Sequence, residues 1–355
     1  MRRLTLISLV LLAAVLLSAC ATGANSASWP GLAADNSNAY LASGGFVYAI
    51  RLSDGSKAWQ YPDKSGSSQF YSNPVITSDG QVIVGSSGQD KGLYCLDPAT
   101  GQQKWTAPFV ASDHWVAPPL VVDQTIYAAN NNGTLYAINL ATGQKFWELS
   151  VSHSFWGAPV TNGKLIFVTS LDHFLYAVDP ETHKIAWKTD LGGSSPGSPS
   201  ISEDGSSLYI GSFAKKVFAV DAASGSIRWT ATVKDWVWSA PTLDGDSLYA
   251  ADISGNIYSF GAPNGKNAWP TTQPDGAITG GMVALSNEVL VATETGSLLA
   301  FDHTGARSWD AAVGGKIYTT PVASGDRIVV APMNADFLLA AVSQDGKLLW
   351  KFTGK

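Results

Sequence analysis

The segment Leu-Tyr-Cys-Leu-Asp-Pro-Ala-Thr-Gly-Gln-Gln-Lys-Trp at Leu93–Trp105 recurs, with drift, eight times along the chain of 355 residues. Each copy ends in a tryptophan, and consecutive closing tryptophans are 46, 42, 40, 42, 40, 40 and 41 residues apart. The closing residues are Trp59, Trp105, Trp147, Trp187, Trp229, Trp269, Trp309 and Trp350. A period of about forty residues, with strand-like units and turns, is typical of a propeller or a solenoid.

Each copy predicts a β-hairpin. In Tyr136–Ile138 an aromatic and a β-branched residue flank alanine, which is typical of a buried strand. Asn139 follows and can accept hydrogen bonds from the turn, and Gly143 can supply the positive φ of the loop. A second short strand then ends in Trp147. Because a lone hairpin is only marginally stable, we expect each closing tryptophan to dock on a neighbouring hairpin.

A second segment recurs between the hairpins. A small residue precedes a proline, an apolar strand, a polar turn and another strand, as in Gly157–Val160 and Ser239–Leu243. Two strands here and two in the hairpin make four per repeat. The sequence therefore predicts an all-β fold, an eight-bladed β-propeller of four-stranded blades over residues 29–355. The first blade looks complete by itself, although an N-terminal strand that joins the last blade is an open alternative.

The N-terminus has the features of a targeting segment. Residues 1–19 begin with two arginines, and the apolar run Leu4–Leu17 is short for a membrane-spanning helix. Leu17-Ser18-Ala19-Cys20 resembles the bacterial lipoprotein signal, which implies cleavage before Cys20 and a lipid on that residue. The alternative is a plain secretory signal that contains Cys20. Residues 20–28 are small and polar, and they predict a flexible tether after lipidated Cys20.

Net charge and cysteine content restrict the classes of partner and of protein that fit this sequence. The formal net charge of −6 becomes −8 when the two arginines of residues 1–19 are removed, which argues against nucleic acid as a main partner. Only 14 % of residues are charged, and 35 are glycine, as suits a turn-rich extracytoplasmic protein. Cys95 stands where most other copies carry alanine, so we expect a small buried core residue.

The copy at residues 135–147 resembles the pyrroloquinoline-quinone-like (PQQ-like) propeller repeat with its tryptophan-docking motif, and the resemblance extends over residues 29–355. With the lipoprotein signal and eight blades, the chain resembles the BamB family of lipoprotein scaffolds in outer-membrane β-barrel assembly. This resemblance implies an envelope protein partner, for example the β-barrel assembly components, and membrane contact through the lipid anchor only. It implies a location in the periplasm, at the outer membrane or on the cell surface, and we expect a monomer. Among the departures, His183 replaces the turn glycine.

The repeat also invites comparison with quinoprotein dehydrogenases, which are longer and have adjacent cysteines and an acidic calcium site. The sequence has no adjacent cysteines, no Cys-x-x-Cys-His for haem and no clustered calcium ligands. Five histidines are scattered: His114, His153, His173, His183 and His303. No phosphate loop appears. The sequence therefore predicts a non-catalytic protein without a cofactor or metal, and a quinone-dependent dehydrogenase is kept as a hypothesis.

Aromatic residues recur before the first strands of the repeats, where equivalent positions of a propeller form a ring. The candidate mouth of the central channel comprises Tyr71, Trp115, Trp156, Trp236, Trp238 and Tyr318. Polar contacts could come from His114, His153, Asp235 and Lys316. An aromatic concavity can bind a peptide, a glycan or an apolar group, which makes a small-ligand, carbohydrate or peptide sensor the alternative function. The aromatic residues could instead merely plug the channel.

Overall fold

The computed structural model describes residues 29–274 and 276–355, so the predicted signal peptide and tether lie outside the described part. These described residues form β-strands and turns, without an α-helix. None of the described residues forms a helix long and apolar enough to span a bilayer. The strands form eight antiparallel sheets, which are the blades of a propeller.

The strands follow one another around the ring in chain order. Blades 1 and 2 contain β1 (Gly31–Ala34), β2 (Asn38–Ser43), β3 (Phe46–Arg51), β4 (Lys57–Tyr61), β5 (Val75–Ile76), β6 (Val82–Gly85), β7 (Gly92–Leu96) and β8 (Phe109–Val110). Blades 3 and 4 contain β9 (Leu120–Val122), β10 (Thr125–Ala129), β11 (Thr134–Asn139), β12 (Lys145–Ser150), β13 (Val160–Thr161), β14 (Ile166–Thr169), β15 (Phe174–Asp179) and β16 (Lys184–Asp190).

The second half repeats this arrangement. Blades 5 and 6 contain β17 (Ser200–Ile201), β18 (Ser207–Ser212), β19 (Lys216–Asp221), β20 (Ile227–Thr232), β21 (Thr242–Asp244), β22 (Ser247–Ala251) and β23 (Ile257–Gly261). Blades 7 and 8 contain β24 (Val283–Ala284), β25 (Glu288–Ala292), β26 (Ser297–Asp302), β27 (Arg307–Ala312), β28 (Val322–Ser324), β29 (Arg327–Val330), β30 (Leu339–Ser343) and β31 (Leu348–Phe352).

Each blade is an antiparallel meander in which sequential strands pair. The first strands of neighbouring blades, such as β13 with β17 and β17 with β21, contact one another and therefore surround the central channel. Blade 6 has three regular strands, and its outer segment pairs only through the bridges Phe260–Asn267 and Ile257–Thr272. Pro270 lies in that segment and has no N–H for the ladder, which explains the interruption.

Ring closure joins the last blade to the first. Trp350 Nε1 donates a hydrogen bond to the carbonyl of Leu52 at 3.0 Å, and Ser324 Oγ donates one to the carbonyl of Asp35 at 2.7 Å. Strand β1 pairs with β2 inside blade 1, so the N-terminal strand does not complete the last blade. The chain therefore begins on the innermost strand of one blade and ends on the outermost strand of its neighbour. The predicted eight-bladed all-β fold is confirmed.

The closing tryptophans pack on the hairpin turn of the next blade. Trp59 Nε1 donates to the carbonyl of Pro98 at 2.7 Å, and Trp105 Nε1 donates to the carbonyl of Leu140 at 2.8 Å. Gly101, with a φ of 73°, lies against the Trp59 ring, and an added Cβ would lie 2.5 Å from it. The turn glycine thus serves both the positive φ and the close approach of the indole.

Two copies use a variant of this contact. His183 adopts a φ of 57° and stacks on Trp147, with ring centroids 4.9 Å apart. Trp309 Nε1 donates instead to Glu288 Oε2 at 2.9 Å. Trp59, Trp105 and Trp269 are buried, whereas the other five closing tryptophans are half-buried because the outer strand borders solvent. Docking on the next blade therefore does not require complete burial of the indole.

Six blades contain a β-bulge immediately before the closing tryptophan. In blade 3, for example, Ala137 pairs with Trp147 but Ile138 pairs with Lys145, which leaves Phe146 as the extra residue. Ser308 is the equivalent extra residue in blade 7. A bulge bends a strand and changes the direction of its side chains, so the bulge gives these outer strands a local bend beside the closing tryptophan.

Apolar side chains fill the space between neighbouring blades. One cluster joins blades 1 and 2 through Tyr40, Val47, Phe70, Val82 and Leu96. The closing interface is built in the same way, since side chains of blade 1 and blade 8 share one cluster: Leu32, Leu41, Ile50, Val329 and Ala341. Burial of apolar area between blades is the main favourable term for such a ring.

Substitution of Gly55 tests the contact between Trp350 and the hairpin turn of blade 1 at ring closure. Gly55 has a φ of 73°, and an added Cβ would lie 2.7 Å from the Trp350 ring. Gly44 has a φ of 59° but no atom within 4 Å of its added Cβ. We expect Gly44→Ala to lower the free energy of unfolding by about 1 kcal/mol through backbone strain, and Gly55→Ala to lower it by about 2–4 kcal/mol. Urea denaturation measures both, and equal losses would contradict docking on Gly55.

Stability is also expected to fall in acid. The side-chain hydrogen bond from Arg228, followed by bonds from Ser224, lowers the pKa of Asp221 from 3.8 to about 2. A carboxyl whose folded-state pKa is depressed stabilises the fold above its unfolded pKa, and that contribution is lost as the pH falls through the folded value. We therefore expect melting temperatures to drop between about pH 4 and pH 2. Asp221→Asn should be less stable at pH 7 yet lose less on acidification, and an unchanged acid slope would refute this assignment.

Candidate binding site at the channel mouth

A cavity of about 630 Å³ lies where the chain enters the first strand of each blade. The described residues that line it come from all parts of the ring. The N-terminal segment and the loops before blades 2 to 8 contribute, among others, Trp29, Tyr71, Val116, Trp156, Pro196, Trp238, Thr279 and Tyr318. Four of the six predicted mouth residues therefore share one cavity, namely Tyr71, Trp156, Trp238 and Tyr318. The volume is within the range of small-molecule sites.

The aromatic rings of the cavity contact one another. Trp29 stacks on Tyr318 with centroids 5.2 Å apart and an interplanar angle of 11°. Trp238 lies 5.5 Å from Trp29 and 6.1 Å from Trp156, tilted in both cases. Trp156 Nε1 donates to Asn131 Oδ1 at 2.8 Å, which fixes the orientation of its indole. These rings form a continuous apolar surface across one side of the channel mouth.

Polar side chains of the cavity connect neighbouring blades. The backbone N–H of Ala158 donates to Ser198 Oγ at 2.7 Å, and Thr242 Oγ1 donates to the carbonyl of Met282 at 2.8 Å. Equivalent contacts occur elsewhere in the ring: Leu32 N–H to Asn73 Oδ1, Ser200 Oγ to the carbonyl of Pro241, Thr279 Oγ1 to the carbonyl of Tyr318, and Gly281 N–H to Thr320 Oγ1. Much of the polar surface is thus already used to hold the ring together.

Backbone segments of neighbouring blades approach closely around the mouth. An added Cβ on Gly157 would lie 2.8 Å from the backbone of Gly197, and one on Gly197 would lie 2.6 Å from the backbone of Ser239. Small residues before the prolines are therefore required by interblade packing. This close approach explains the small-residue positions of the second recurring segment.

The cavity lining among the described residues contains no aspartate, glutamate, lysine, arginine or histidine. The polar residues that the sequence analysis placed at the mouth pair elsewhere. Lys316 Nζ lies 2.6 Å from Glu294 Oε1, and Asp235 Oδ1 lies 3.2 Å from Lys215 Nζ. His114 and His153 likewise do not line the cavity. Across residues 29–274 and 276–355, no group of three or more His, Cys, Asp and Glu side chains could hold a metal ion.

The structure places Trp115 away from the mouth. It is 1 % exposed and belongs to the core between blades 2 and 3, where its Nε1 donates to the carbonyl of Lys91 at 2.9 Å. Trp236 lies outside the cavity at 42 % exposure and stacks on Phe213 with centroids 4.8 Å apart. Phe213 also contacts Trp238, at 5.3 Å between centroids, so Trp236 adjoins the site without lining it.

Trp29 is an aromatic lining residue that the sequence does not identify as part of the mouth. It precedes the first strand of blade 1, because β1 begins at Gly31. The available signal was an aromatic residue directly followed by proline, Trp29-Pro30, which disfavours a regular strand. Cys95 meets its prediction, because it is fully buried and its thiol donates to Gln81 Oε1 at 2.9 Å. Burial raises the pKa of this thiol to about 11.

The eight antiparallel blades and the repeated tryptophan contacts define the chain as a PQQ-like β-propeller with an uncharged aromatic cavity. A family model described as "Outer membrane protein assembly factor BamB" matches residues 19–189, 173–277 and 253–355. Together these matches extend over nearly the whole chain, and the chain belongs to this family.

Individual relatives are distant. The chain is 24% identical over 247 residues to the outer membrane protein assembly factor BamB of Xanthomonas campestris pv. campestris, which covers 52% of this chain and 59% of that protein. For BamB of Yersinia pestis the identity is 24%, with 56% and 52% covered. The tetrathionate hydrolase of Acidithiobacillus ferrooxidans is also 24% identical, with 52% and 44% covered. The chain thus spans about half the length of the curated relatives it matches.

Solved structures support the fold. The crystal structure of BamB from Moraxella catarrhalis matches with a TM-score of 0.72 and 20% identity, covering 91% of this chain and 94% of that one. The computationally designed Ika8 protein matches with a TM-score of 0.74 at 13% identity, covering 92% and 96%. Because a designed protein matches equally well, the structural likeness carries information about the fold alone.

Proposed function

We propose that the protein is a lipid-anchored, extracytoplasmic scaffold that binds envelope proteins and does not catalyse a reaction. Membership in a family described as outer membrane protein assembly factors supports this role. The relatives of that name share about half their length with this chain. We further propose that the partners include components of β-barrel assembly, by analogy with the names of these relatives.

The observation that carries the proposal is a set of exposed apolar side chains on outer strands. Blades 2 to 5 each present one such side chain with an exposure of 40% to 60%: Val110, Phe146, Ile185 and Ile227. The outer strand of blade 7 has a polar surface at the corresponding positions, Arg307 and Ser308. Exposed apolar residues that recur on neighbouring blades are typical of an interaction surface rather than of a fully solvated rim.

The outer strands also have backbone N–H and C=O groups on their outer edge that can pair with another strand. Strands β12 and β16, six and seven residues long, are the last strands of their sheets and have a partner on one side only. An edge strand can pair with an extended segment of another protein, whose side chains then contact the exposed residues of the edge. Phe146 and Ile185 lie on these two edges. They are the residues that we propose to contact the partner.

The cavity supports a binding role in the same way. Its aromatic rings, prolines and interblade hydrogen bonds suit the burial of a ligand rather than proton transfer. One relative is named tetrathionate hydrolase, but it aligns over 44% of its own length. The cavity therefore favours a second candidate function, the binding of an uncharged ligand at the channel mouth.

A lipid on Cys20 would restrict the orientation of the propeller. Eight residues lie between Cys20 and Trp29, so nine Cα–Cα steps join Cys20 to this residue of the channel mouth. A fully extended chain of that length spans at most about 32 Å. We therefore propose that the anchor keeps the mouth close to the membrane and leaves the outer strands accessible to partners from the side.

Genetic complementation tests the scaffold proposal. Deletion of the gene is expected to lower the abundance of outer-membrane β-barrel proteins severalfold, as measured by quantitative mass spectrometry. Phe146→Glu and Ile185→Glu should restore these levels poorly, because each places a charge on the proposed contact surface. Ser308→Glu introduces the same charge at the bulge position equivalent to Phe146 in blade 7. It should complement fully, and unchanged barrel levels after deletion would rule out the assembly role.

A further inference from the structure

The cavity at the channel mouth is partly filled by the chain's own N-terminal segment. Trp29 and Pro30 line it from outside the blades, ahead of β1. Trp29 covers Tyr318 in a stacked contact and touches Trp238 with a tilted one. About 630 Å³ remains beside these residues. An aromatic side chain on an extended, proline-containing segment therefore fits this site.

We propose that the cavity is a binding site for an uncharged, extended peptide segment that bears an aromatic side chain, with Trp29 and Pro30 acting as an internal competitor. The bound segment would place its aromatic ring on Tyr318 and Trp238, where Trp29 now lies. This site is distinct from the outer strands that the scaffold proposal uses. It does not depend on the scaffold proposal, and it rests on the second candidate function, ligand binding at the channel mouth.

The chemistry of the lining favours an uncharged ligand. No acidic, basic or imidazole side chain is among the described lining residues. An ionised group placed in the cavity would lose hydration without gaining a charged partner. An aromatic or proline side chain of a peptide, by contrast, would bury apolar area here and stack on the aromatic rings of the cavity. Aromatic-lined grooves recognise proline-containing peptides in this way.

The same lining favours a peptide over a saccharide. Saccharide recognition requires many free donors and acceptors for the sugar hydroxyls. Here Thr242 Oγ1, Ser198 Oγ and Thr320 Oγ1 are engaged in hydrogen bonds between blades. Thr319 Oγ1 is a buried lining atom with no hydrogen-bond partner among the described residues, and it could accept one backbone N–H. A lining in which several side-chain hydroxyls are already engaged beside several aromatic rings matches a largely apolar side chain with few polar contacts.

The internal competitor can leave without unfolding the first blade. Leu32 N–H donates to Asn73 Oδ1 at 3.0 Å, and Gly31 pairs with Ala42 in the sheet. These contacts fix the chain from Gly31 onward, whereas Trp29 is held by its ring contacts. A pivot between Pro30 and Gly31 would expose Tyr318 and Trp238 and keep β1 in place. The apparent affinity for a second peptide then depends on the fraction of molecules in which Trp29 is displaced.

The test uses the full chain and the peptide acetyl-Ser-Ala-Ser-Trp-Pro-Gly-Leu-Ala-amide, which reproduces residues 26–33. Isothermal calorimetry should show that the Trp29→Ala protein binds this peptide about tenfold or more tightly than the unaltered protein does, because the internal competitor is gone. Trp29→Ala combined with Trp238→Ala should lose binding. Trp29→Ala combined with Trp236→Ala is the matched control, since Trp236 lies outside the cavity, and it should bind normally.

Three outcomes would overturn the proposal. They are no peptide binding by a folded Trp29→Ala protein, equal affinity with and without Trp29, and equal binding of the peptide in which alanine replaces tryptophan. Binding of an uncharged oligosaccharide such as cellohexaose in place of the peptide would assign the cavity to saccharides instead. Circular dichroism verifies folding, and Tyr318→Ala replaces Trp238→Ala if the latter variant does not fold.

Discussion

Trp115→Ala is expected to lower the free energy of unfolding by about 3–5 kcal/mol, the range for removal of a large aromatic side chain from a core. Trp115 is 1 % exposed and packs against Tyr136 with ring centroids 5.9 Å apart. Its Nε1 donates a hydrogen bond to the carbonyl of Lys91, so the substitution also removes one of the two donors to that carbonyl, the other being the N–H of Ala111. Because the residue lies between two blades, the cavity left behind would weaken their interface as well as one sheet.

The matched control is another tryptophan that the sequence analysis assigned to the same mouth. Trp236 is 42 % exposed, and its main aromatic contact is Phe213. Trp236→Ala should cost less than about 1 kcal/mol, as is usual for exposed positions. Guanidinium denaturation followed by circular dichroism compares the two variants. Similar losses would show that Trp115 is not the core residue described here.

Cys20→Ala is expected to move the protein from the membrane fraction to the soluble fraction. The resemblance to a lipoprotein signal implies acyl chains on Cys20, and each buried methylene contributes about 0.8 kcal/mol of membrane affinity. Several acyl chains together give stable anchoring, whereas the loss of all of them leaves none of that affinity. Detergent phase partitioning and metabolic labelling with palmitate measure the change.

Cys95→Ala is the control for this experiment. Cys95 is buried in blade 2 and its thiol is not accessible to lipid modification. The Cys95→Ala protein should therefore stay labelled and membrane-bound. If the Cys20→Ala protein remained in the membrane fraction, or if both variants kept the palmitate label, the anchor at Cys20 would be refuted.

The repeat architecture was predictable because the docking contact of the closing tryptophan restricts which residue types can occupy several positions of each copy. The closing tryptophan needs a turn glycine on the next blade, as Trp59 needs Gly101. A polar residue such as Asp97 caps the same turn by accepting hydrogen bonds from Ala99 and Thr100. These requirements recur in most hairpins, and so they leave a period in the sequence that survives the drift of individual residues. The burial of Cys95 was predictable from the same comparison of copies, because most other copies have alanine at this position.

The site was less predictable because neighbouring residues of an extended segment point in opposite directions. The position directly before each lining residue is buried in every repeat from blade 2 to blade 8: Phe70, Trp115, Phe155, Ser195, Val237, Ile278 and Ile317. Trp115 occupies this core position, and Val116 lines the cavity. In blade 7, where no proline marks the start of the inner strand, Ile278 is buried and Thr279 lines the cavity. A one-residue shift thus exchanges a core side chain for a ligand-facing one.

The periodic pattern of the repeats does not predict the position of Trp29, because this residue precedes the first copy. Its contacts join residues far apart in sequence, Trp29 with Tyr318 and Trp29 with Trp238. Closure of the ring brings these residues together, and no local sequence pattern predicts these contacts. The same holds for Trp350 and Leu52, which meet only because the last blade docks on the first.

Site-specific photocrosslinking tests whether the outer strands of blades 3 and 4 bind an envelope protein. The photoreactive amino acid benzoylphenylalanine would replace Phe146, or Ser308 as the equivalent residue of blade 7, in the lipidated protein in native membranes. We expect position 146 to crosslink to envelope proteins, β-barrel assembly components among them, and position 308 not to do so. Crosslinks to no protein, or the same products from both positions, would contradict it.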